Sequence, residues 1–275
     1  MRIIKATQDS RDMSIKFPNI DPVLINIGPL HIRWYSIAYM AGILLGMFYI
    51  NFLAKKSKVN LAKNFIDDFL LFAVFGIIIG GRLGHVFLYD PMKYLMAPIE
   101  IFYTWEGGMS FHGGFVGFVI ATILFAKSRK LDAWKIFDLA ACAAPIGIFF
   151  GRLANFVNAE LVGRVTDKPW GVIFPNSILT RHPSQLYEAL SEGLLLFAIL
   201  NILFFKYNLF KKDRMLSGIF CILYSVFRLI SECFREPDQS IGFIFKYFTM
   251  GQLISCVIII LGIAVIKKDI FKKIL

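Results

Sequence analysis

The chain has 275 residues, of which 57% are hydrophobic, and it carries a formal net charge of +11. Two stretches, 34–54 and 247–266, run for about twenty residues without a charged side chain, which is the length that a helix needs to cross the hydrocarbon core of a bilayer. So much of the chain is apolar that it leaves no room for a separate soluble domain.

Between these two stretches, in chain order, lie five more apolar stretches: 69–89, 109–126, 139–157, 186–205 and 215–233. Together the seven predict an all-α, polytopic membrane protein with seven transmembrane helices. An odd number of spans places the two termini on opposite sides of the membrane. Glycines four apart predict close packing among spans two, three and four: Gly76-x3-Gly80, Gly80-x3-Gly84, Gly113-x3-Gly117 and Gly147-x3-Gly151.

Lysine and arginine are concentrated after spans one, three, five and seven and are sparse in the other connections. Because loops rich in basic residues stay in the cytoplasm, this bias predicts an N-terminus outside and a cytoplasmic C-terminus. The outward connections are then 90–110, 158–184 and 234–246. The net positive charge is explained by the basic residues of the cytoplasmic connections, which face an anionic leaflet, so it gives no reason to expect a nucleic-acid partner.

The two ends of the chain flank the predicted membrane domain, 34–266. Residues 1–33 contain no apolar stretch of signal-peptide length behind a basic start, so we interpret them as a periplasmic arm and not as a cleaved leader. Within the arm, residues 1–12 are polar and are interpreted as an extension. Residues 267–275 are rich in lysine and form the predicted cytoplasmic tail.

Polar residues gather at the outward ends of the predicted spans, so that five separate segments reach one depth in the bilayer. These residues are Tyr35 in span one, His112 in span three, Arg152, Asn155, Asn158 and Glu160 at the end of span four, the run 181–188 before span five, and Arg228, Glu232 and Arg235 at the end of span six. A charged residue in hydrocarbon costs about 2.5–3.5 kcal/mol on insertion scales, and such residues therefore indicate function by default.

Arg152 and Arg228 predict a site for an anionic phospholipid headgroup, because the planar guanidinium matches phosphate oxygens in bidentate fashion. The alternative is structural: Arg228 pairs with Glu232 one turn away on its own helix, and Arg152 extends to the interface. Arg82 in span two has two similar interpretations, a headgroup contact or a donor to backbone carbonyls, and the sequence does not decide between them.

His112 is the candidate base, since an imidazole with a pKa near about 6.5 can accept the proton of a thiol with a pKa of about 8.5. A lone histidine at an interface is equally open to a role as a hydrogen-bonding residue. The sequence contains no H-E-x-x-H, no G-x-S-x-G and no Walker-type glycine loop, and its four cysteines form no C-x-x-C pair. We therefore expect neither a metal nor a cofactor.

Several of the candidate residues fall within one continuous run, Gly151-Arg152-x-Ala154-Asn155-Phe156-x-Asn158-x-Glu160-x2-Gly163. Other blocks follow in chain order around it: Arg33-Trp34-Tyr35, 107–114, 181–188, 227–238 and Met250-Gly251-Gln252. In this order the blocks resemble the bacterial prolipoprotein diacylglyceryl transferase family. Two departures are Ala154, where many members have glycine, and a short connection between Gly163 and Arg181.

The resemblance implies a seven-helix enzyme of the bacterial inner membrane whose active site faces the periplasm. Its partners would be phosphatidylglycerol, a prolipoprotein with a lipobox cysteine, and the lipid bilayer. It would move the diacylglyceryl group of the lipid onto the cysteine thiol and release glycerol phosphate. Our hypothesis assigns catalytic roles to His112, Arg228, Asn155, Glu232 and Tyr35, and substrate-binding roles to Arg152, Gly163, Asn158, Glu160 and Arg235. Of these ten, the resemblance favours His112, Arg152, Asn155, Gly163 and Arg228 most.

Three other functions are weighed against this one. A transporter or flippase of anionic lipid would also place arginines at headgroup depth, but it predicts polar residues along a whole path across the membrane, for which Glu192 is the clearest deep candidate. A lipid-binding scaffold would not need His112. An enzyme that transfers another headgroup portion between lipids would be expected to carry an aspartate-rich metal motif, which the sequence lacks.

Overall fold

The structure is a computed structural model that describes residues 15–18, 20–28, 30–57, 65–175, 177–237 and 248–267. Within these ranges the chain is mostly helical. The extension 1–12, most of the predicted outer loop 234–246 and the basic tail beyond residue 267 lie outside the described residues.

Eight helices of six or more residues occur in the described ranges, and several coincide with the predicted spans. They are α1 (Trp34–Lys56), α2 (Phe65–Leu88), α3 (Pro91–Met96), α4 (Phe111–Arg129), α5 (Ala133–Val157), α6 (Ser184–Phe205), α7 (Met215–Glu232) and α8 (Met250–Ile266). Four short strands accompany them: β1 (Ile15–Lys16), β2 (Val23–Ile27), β3 (Leu30–Arg33) and β4 (Val172–Ile173).

Five helices of the described chain are long and apolar enough to cross a membrane, namely α1, α2, α5, α6 and α7. Two further helices fall on the remaining predicted spans: α8 is apolar and has 17 residues, and α4 has 19 residues. A multi-pass membrane protein is thereby supported, and five of the seven predicted spans coincide with helices that are both long and apolar enough to cross a membrane.

The all-α prediction does not extend to the arm. Strands β2 and β3 pair as an antiparallel hairpin, and β1 pairs in parallel with β4, which lies in the predicted outer loop 158–184. The hairpin turns at Gly28, whose φ of +59° is a conformation that glycine adopts without a steric penalty. Hydropathy did not reveal these strands, because Ile15 and Val172 become neighbours only through tertiary folding.

Two compact units make up the chain: the first comprises Met1–Tyr49 and Ala140–Leu275, and the second comprises Ile50–Leu139. In the second unit, α2 and α4 pack with their backbones in contact. A Cβ atom on Gly80 would lie 2.7 Å from Cα of Gly117, and a Cβ on Gly84 would lie 2.7 Å from Cα of Gly113. The predicted close approach at these glycines is confirmed. In the first unit, Gly147 of α5 lies near Gly42 of α1, where an added Cβ would be 3.0 Å from Cα of Gly147, whereas a Cβ added to Gly151 would have no atom within 4 Å.

Arg82 of α2 is buried and binds backbone carbonyl oxygens of the connection that follows its helix. It donates to Ile101 at 2.8 Å, to Gly107 at 2.6 Å, to Gly108 at 3.1 Å and to Glu100 at 2.5 Å. Of the two interpretations open from the sequence, the structure supports the second, in which Arg82 fixes the loop before α4.

Candidate active site

Three arginines of the first unit converge on one buried carboxylate. Glu188, in the first turns of α6, is fully buried and accepts from Nη1 of Arg228 at 2.6 Å. The same oxygen, Oε1, lies 3.3 Å from Nη1 of Arg235, and Oε2 lies 2.9 Å from Nη1 of Arg152. Side chains from α5, α6 and α7, which are distant in sequence, thus form one ion-pair network.

A second buried carboxylate, Glu192, lies one turn further along α6, where Ala189–Leu195 adopts wide π-helical turns. Its Oε2 accepts from Nη2 of Arg152 at 3.0 Å, while its Oε1 is 3.9 Å from Nη1 of Arg228, beyond hydrogen-bonding distance. Tyr224 of α7 is in electrostatic contact with both arginines. Such π-helical turns are frequent at functional sites, which agrees with this placement.

The network continues from Arg228 to Glu232, one turn away on α7, as the sequence predicted. Oε2 of Glu232 accepts from the hydroxyl of Thr249, which also caps the N-terminus of α8, at 3.0 Å. Gly251 packs against the same carboxylate, since an added Cβ there would lie 2.8 Å from Cδ of Glu232. The Met250-Gly251-Gln252 block therefore supports the acidic partner of Arg228.

Asn155 and Glu160 are joined at the C-terminal end of α5. Nδ2 of Asn155 donates to Oε1 of Glu160 at 2.6 Å, and Nε2 of Gln185 donates to the Glu160 carbonyl at 2.5 Å. The backbone of the two neighbours of Glu160 is left-handed, with φ of +53° at Ala159 and +56° at Leu161. Non-glycine residues in this region cluster at functional sites, and here the unusual turn brings the Glu160 carboxylate to Asn155.

Gly163 fits a position that no other residue can occupy without displacement of the backbone. An added Cβ would lie 2.7 Å from the Phe234 carbonyl and 2.7 Å from Cβ of His182. Its N–H donates to the His182 carbonyl at 3.0 Å, and its carbonyl accepts from Nη1 of Arg181 at 3.0 Å. The predicted role of Gly163 in shaping the outward loop is thus consistent with its packing.

His182 of this loop has a lowered imidazole pKa, because burial disfavours the charged form and Lys168 repels it. Its Nδ1 lies 3.1 Å from the hydroxyl of Tyr187, which accepts from the indole N–H of Trp170 at 2.8 Å. A neutral His182 therefore belongs to a small polar cluster on the loop.

Two other predicted residues, Asn158 and Tyr35, have no ion pair among the described residues. Oδ1 of Asn158 is buried and has no hydrogen-bond partner among the described residues. Tyr35 of α1 is in electrostatic contact with Glu160 and Arg152, and its hydroxyl lies 3.1 Å from that of Tyr39. An unsatisfied buried amide oxygen and a partly exposed phenol are suitable contacts for a polar ligand.

His112 belongs to the second compact unit and is therefore described separately from the arginine network. It is exposed and follows the N-terminal residue of α4, whose cap is Ser110. The hydroxyl of Ser110 accepts a hydrogen bond from the N–H of Gly113 at 3.2 Å, and the backbone N–H of Ser110 donates to the carbonyl of Gly81. The start of α4, and with it His112, is thereby held against α2.

Sequence reasoning included Glu188 in the polar run 181–188 without giving it a role, considered Glu192 only as a candidate for a transport path, and missed Tyr224. A signal was available, since Glu188 and Glu192 are four apart, as are Tyr224, Arg228 and Glu232, so that each set shares one helix face. What the spacing could not show is that the two faces meet. For Arg152 the structure shows two ion pairs with buried carboxylates, which neither interpretation of this residue had included.

The network contains equal numbers of guanidinium and carboxylate groups: Arg152, Arg228 and Arg235 with Glu188, Glu192 and Glu232. The arginine side chains keep small exposed fractions of 17%, 14% and 10%, whereas the Glu188 and Glu192 side chains have none. Over the described part of the chain, no group of three histidine, cysteine or acidic residues is arranged to hold a metal ion. The arrangement can bind and stabilise an anion through preorganised guanidinium groups.

Comparison with known proteins identifies the family. A model described as prolipoprotein diacylglyceryl transferase matches residues 22–267. The phosphatidylglycerol–prolipoprotein diacylglyceryl transferase of Rickettsia bellii (strain OSU 85-389) is 52% identical over 253 residues, which cover 92% of this chain and 96% of that protein. Those of Rickettsia felis and Rickettsia canadensis are 52% and 50% identical, covering 90% and 93% of this chain and 95% and 99% of their own lengths. The chain therefore belongs to the prolipoprotein diacylglyceryl transferase family.

Proposed function

We propose that the arginine–glutamate network binds the phosphate of phosphatidylglycerol while the lipid's diacylglyceryl group moves to a prolipoprotein. As a member of its family, the chain is a transferase that delivers a diacylglyceryl group to prolipoproteins. The donor is carried over from the names of the relatives. The transporter considered from the sequence is not favoured, because the matching family and these relatives are transferases.

The observation that carries the proposal is the convergence of Arg152, Arg228 and Arg235 on Glu188. Arginine is always charged, and its fork of donors matches phosphate oxygens. Three such groups held together at low exposure are a stronger anion site than any one of them alone. Asn155, with its partner Glu160, lies in the segment next to Arg152 and is proposed to contact headgroup or ester oxygens.

The proposed chemistry explains why arginines serve here without a serine triad. The cysteine sulfur attacks the glycerol carbon, a sulfur–carbon bond forms, and the carbon–oxygen bond to phosphate breaks. The oxygen keeps the electron pair, so that negative charge grows on the phosphate, which the arginines stabilise. The thiolate is the nucleophile, and His112 is proposed to take the thiol proton.

The remaining predicted residues have supporting roles in this proposal. Asn158, whose Oδ1 has no partner within the described ranges, binds a headgroup donor, and Tyr35 closes the pocket. Glu232 orients Arg228, Arg235 is a further headgroup contact, and Gly163 together with Glu160 shapes the outward loop.

The proposed membrane placement rests on the charge bias of the connections. All seven predicted spans within 34–266 cross the bacterial inner membrane, with the N-terminus outside and the C-terminus in the cytoplasm. The network at the outward ends of α5 and α7 then faces the outer leaflet and the periplasm. A prolipoprotein cysteine presented after export would reach it there.

The test is an assay of the purified protein with phosphatidylglycerol and a lipobox peptide, in which release of glycerol phosphate is followed. We expect release only when both the lipid and a cysteine acceptor are present, and none when serine replaces the cysteine. Arg152→Ala should raise the apparent KM for the lipid and leave that for the peptide unchanged. Lipid binding without release, or release with a serine acceptor, would contradict the proposed reaction.

A further inference from the structure

The buried carboxylates Glu188 and Glu192 have no part in the reaction as proposed, although both lie at its phosphate site. Each is fully buried, and together they contact all three arginines of the network. Burial of an acidic group is costly unless it is paired, and a phosphate site made only of arginines would bind its anion more tightly. The presence of two acids therefore calls for an explanation.

The charge of the ligand changes during the proposed reaction. Phosphatidylglycerol is a phosphodiester with one negative charge, and without its diacylglyceryl group it becomes glycerol phosphate, a phosphomonoester. Because the second pKa of such a monoester is about 6, the product carries close to two negative charges above neutral pH. An array of arginines alone would hold the product more tightly than the substrate and would slow its release.

The network as observed is balanced, with three guanidinium and three carboxylate groups. A bound substrate therefore adds one uncompensated charge, and a bound product adds two. At such short range in a buried site, each added negative charge beside Glu188 and Glu192 is disfavoured. The acids thus weaken the binding of the product more than that of the substrate.

The Glu192 carboxylate is only partly paired, so ion pairing with the arginines does not by itself explain its presence. Its Oε1 is buried, lies 3.9 Å from Nη1 of Arg228 and accepts no hydrogen bond from any described residue. A carboxylate that served only to hold Arg152 could be replaced by a neutral acceptor, since only Oε2 makes the 3.0 Å contact with Nη2 of Arg152. The second oxygen contributes negative charge without a bond.

We infer that Glu188 and Glu192 are positioning residues that neutralise the arginine array, so that the phosphomonoester product can leave. This inference rests on the proposed function. Glu188 also sets the spacing of the three guanidinium groups, since both of its oxygens lie within 3.3 Å of an arginine nitrogen. Glu192 acts mainly through its charge, because its Oε1 is 3.9 Å from Nη1 of Arg228 and accepts no hydrogen bond among the described residues. Glu192→Gln is therefore the cleaner variant, since the amide oxygen preserves the contact with Arg152.

The experiment measures binding of two soluble anions to the full-length protein in detergent at pH 8 by calorimetry. Glycerol phosphate represents the doubly charged product, and glycerophosphoglycerol, the deacylated lipid, represents the singly charged substrate headgroup. We expect Glu192→Gln to lower the Kd for glycerol phosphate by at least about tenfold and the Kd for glycerophosphoglycerol by a smaller factor, because the energy scales with ligand charge. Glu188→Gln should change the ratio of the two Kd values in the same direction. It replaces Glu192→Gln as the test variant if Glu192→Gln fails to fold.

The control is Asp68→Asn, which removes a paired carboxylate in the second compact unit and should leave both Kd values unchanged. A purely structural role for the acids would loosen the arginines and raise both Kd values. Unchanged or raised Kd values for glycerol phosphate in Glu192→Gln would thus overturn the inference while the wild-type transferase assay still succeeded. Absence of glycerol phosphate release from the wild-type protein would overturn the proposed function, and the inference with it.

Discussion

Replacement of Arg152 by glutamine tests the ion-pair network most directly. Arg152 makes two contacts, to Glu188 at 2.9 Å and to Glu192 at 3.0 Å. After the change, Glu188 keeps Arg228 and Arg235 as partners, but Glu192 is left with only Arg228, 3.9 Å away. Removal of one partner from a buried ion pair costs about 3–5 kcal/mol. We expect Arg152→Gln to lower the free energy of unfolding by about this amount, almost entirely through Glu192.

The same reasoning predicts a rescue. Adding Glu192→Gln to Arg152→Gln removes the uncompensated charge, and the double variant should recover most of the lost stability without recovering transferase activity. The control is Arg129→Gln, since Arg129 pairs with Asp68 at a partly exposed position where an ion pair contributes only about 0–1 kcal/mol. Unfolding would be followed by circular dichroism during titration of mixed micelles with a denaturing detergent. A cost of Arg152→Gln no larger than that of Arg129→Gln, or no rescue in the double variant, would refute the network.

Three further predictions address other parts of the molecule. His112→Gln should lower transferase activity at pH 7 by about 10²–10⁴-fold with unchanged unfolding, and near-full activity would exclude a role as the base. Gly80→Ala should destabilise the second unit by about 1–3 kcal/mol, because the added Cβ would meet backbone atoms of α4. The control is Gly46→Ala, whose added Cβ would have no atom within 4 Å and should cause no such loss. Equal free energies of unfolding of the two variants would contradict this prediction. His182 should make the connection 158–184 sensitive to acid. Its lowered pKa favours the neutral form in the folded connection, so that the stability it contributes is full above about pH 6.5 and is lost as the pH falls through the lowered pKa. Fluorescence of Trp170 in a variant that lacks the other tryptophans should report this transition, which His182→Gln should abolish.

Much of the fold follows from local features of the sequence. Long, predominantly apolar stretches predicted α1, α2, α5, α6 and α7, because a helix that crosses a bilayer must satisfy its own backbone and present mostly apolar side chains. The short β1–β4 pairing was not predictable, since hydropathy carries no information about contacts between residues more than 150 positions apart.

The candidate site, like the fold, includes contacts that the sequence predicted and contacts that it did not. The pairing of Arg228 with Glu232 follows from a four-residue spacing on one helix, and the structure confirms it. The partners of Arg152 did not follow, because Glu188 and Glu192 lie on another helix and only the packing of α5 against α6 and α7 could identify them. Arg82 is a similar case, since the carbonyls that it binds belong to a loop whose path the sequence does not specify.

The sequence by itself determined that this is a membrane protein, where most of its helices lie, and which residues resemble the motifs of its family. These properties depend on which residues are adjacent in the chain and on how the length of each apolar stretch compares with the thickness of a bilayer. Both can be judged from the sequence alone. Only the tertiary structure decided that three arginines share Glu188 and that Glu192 has an oxygen without a partner among the described residues. The energy of a buried charge depends on every group within a few ångströms, and helix packing determines which groups those are.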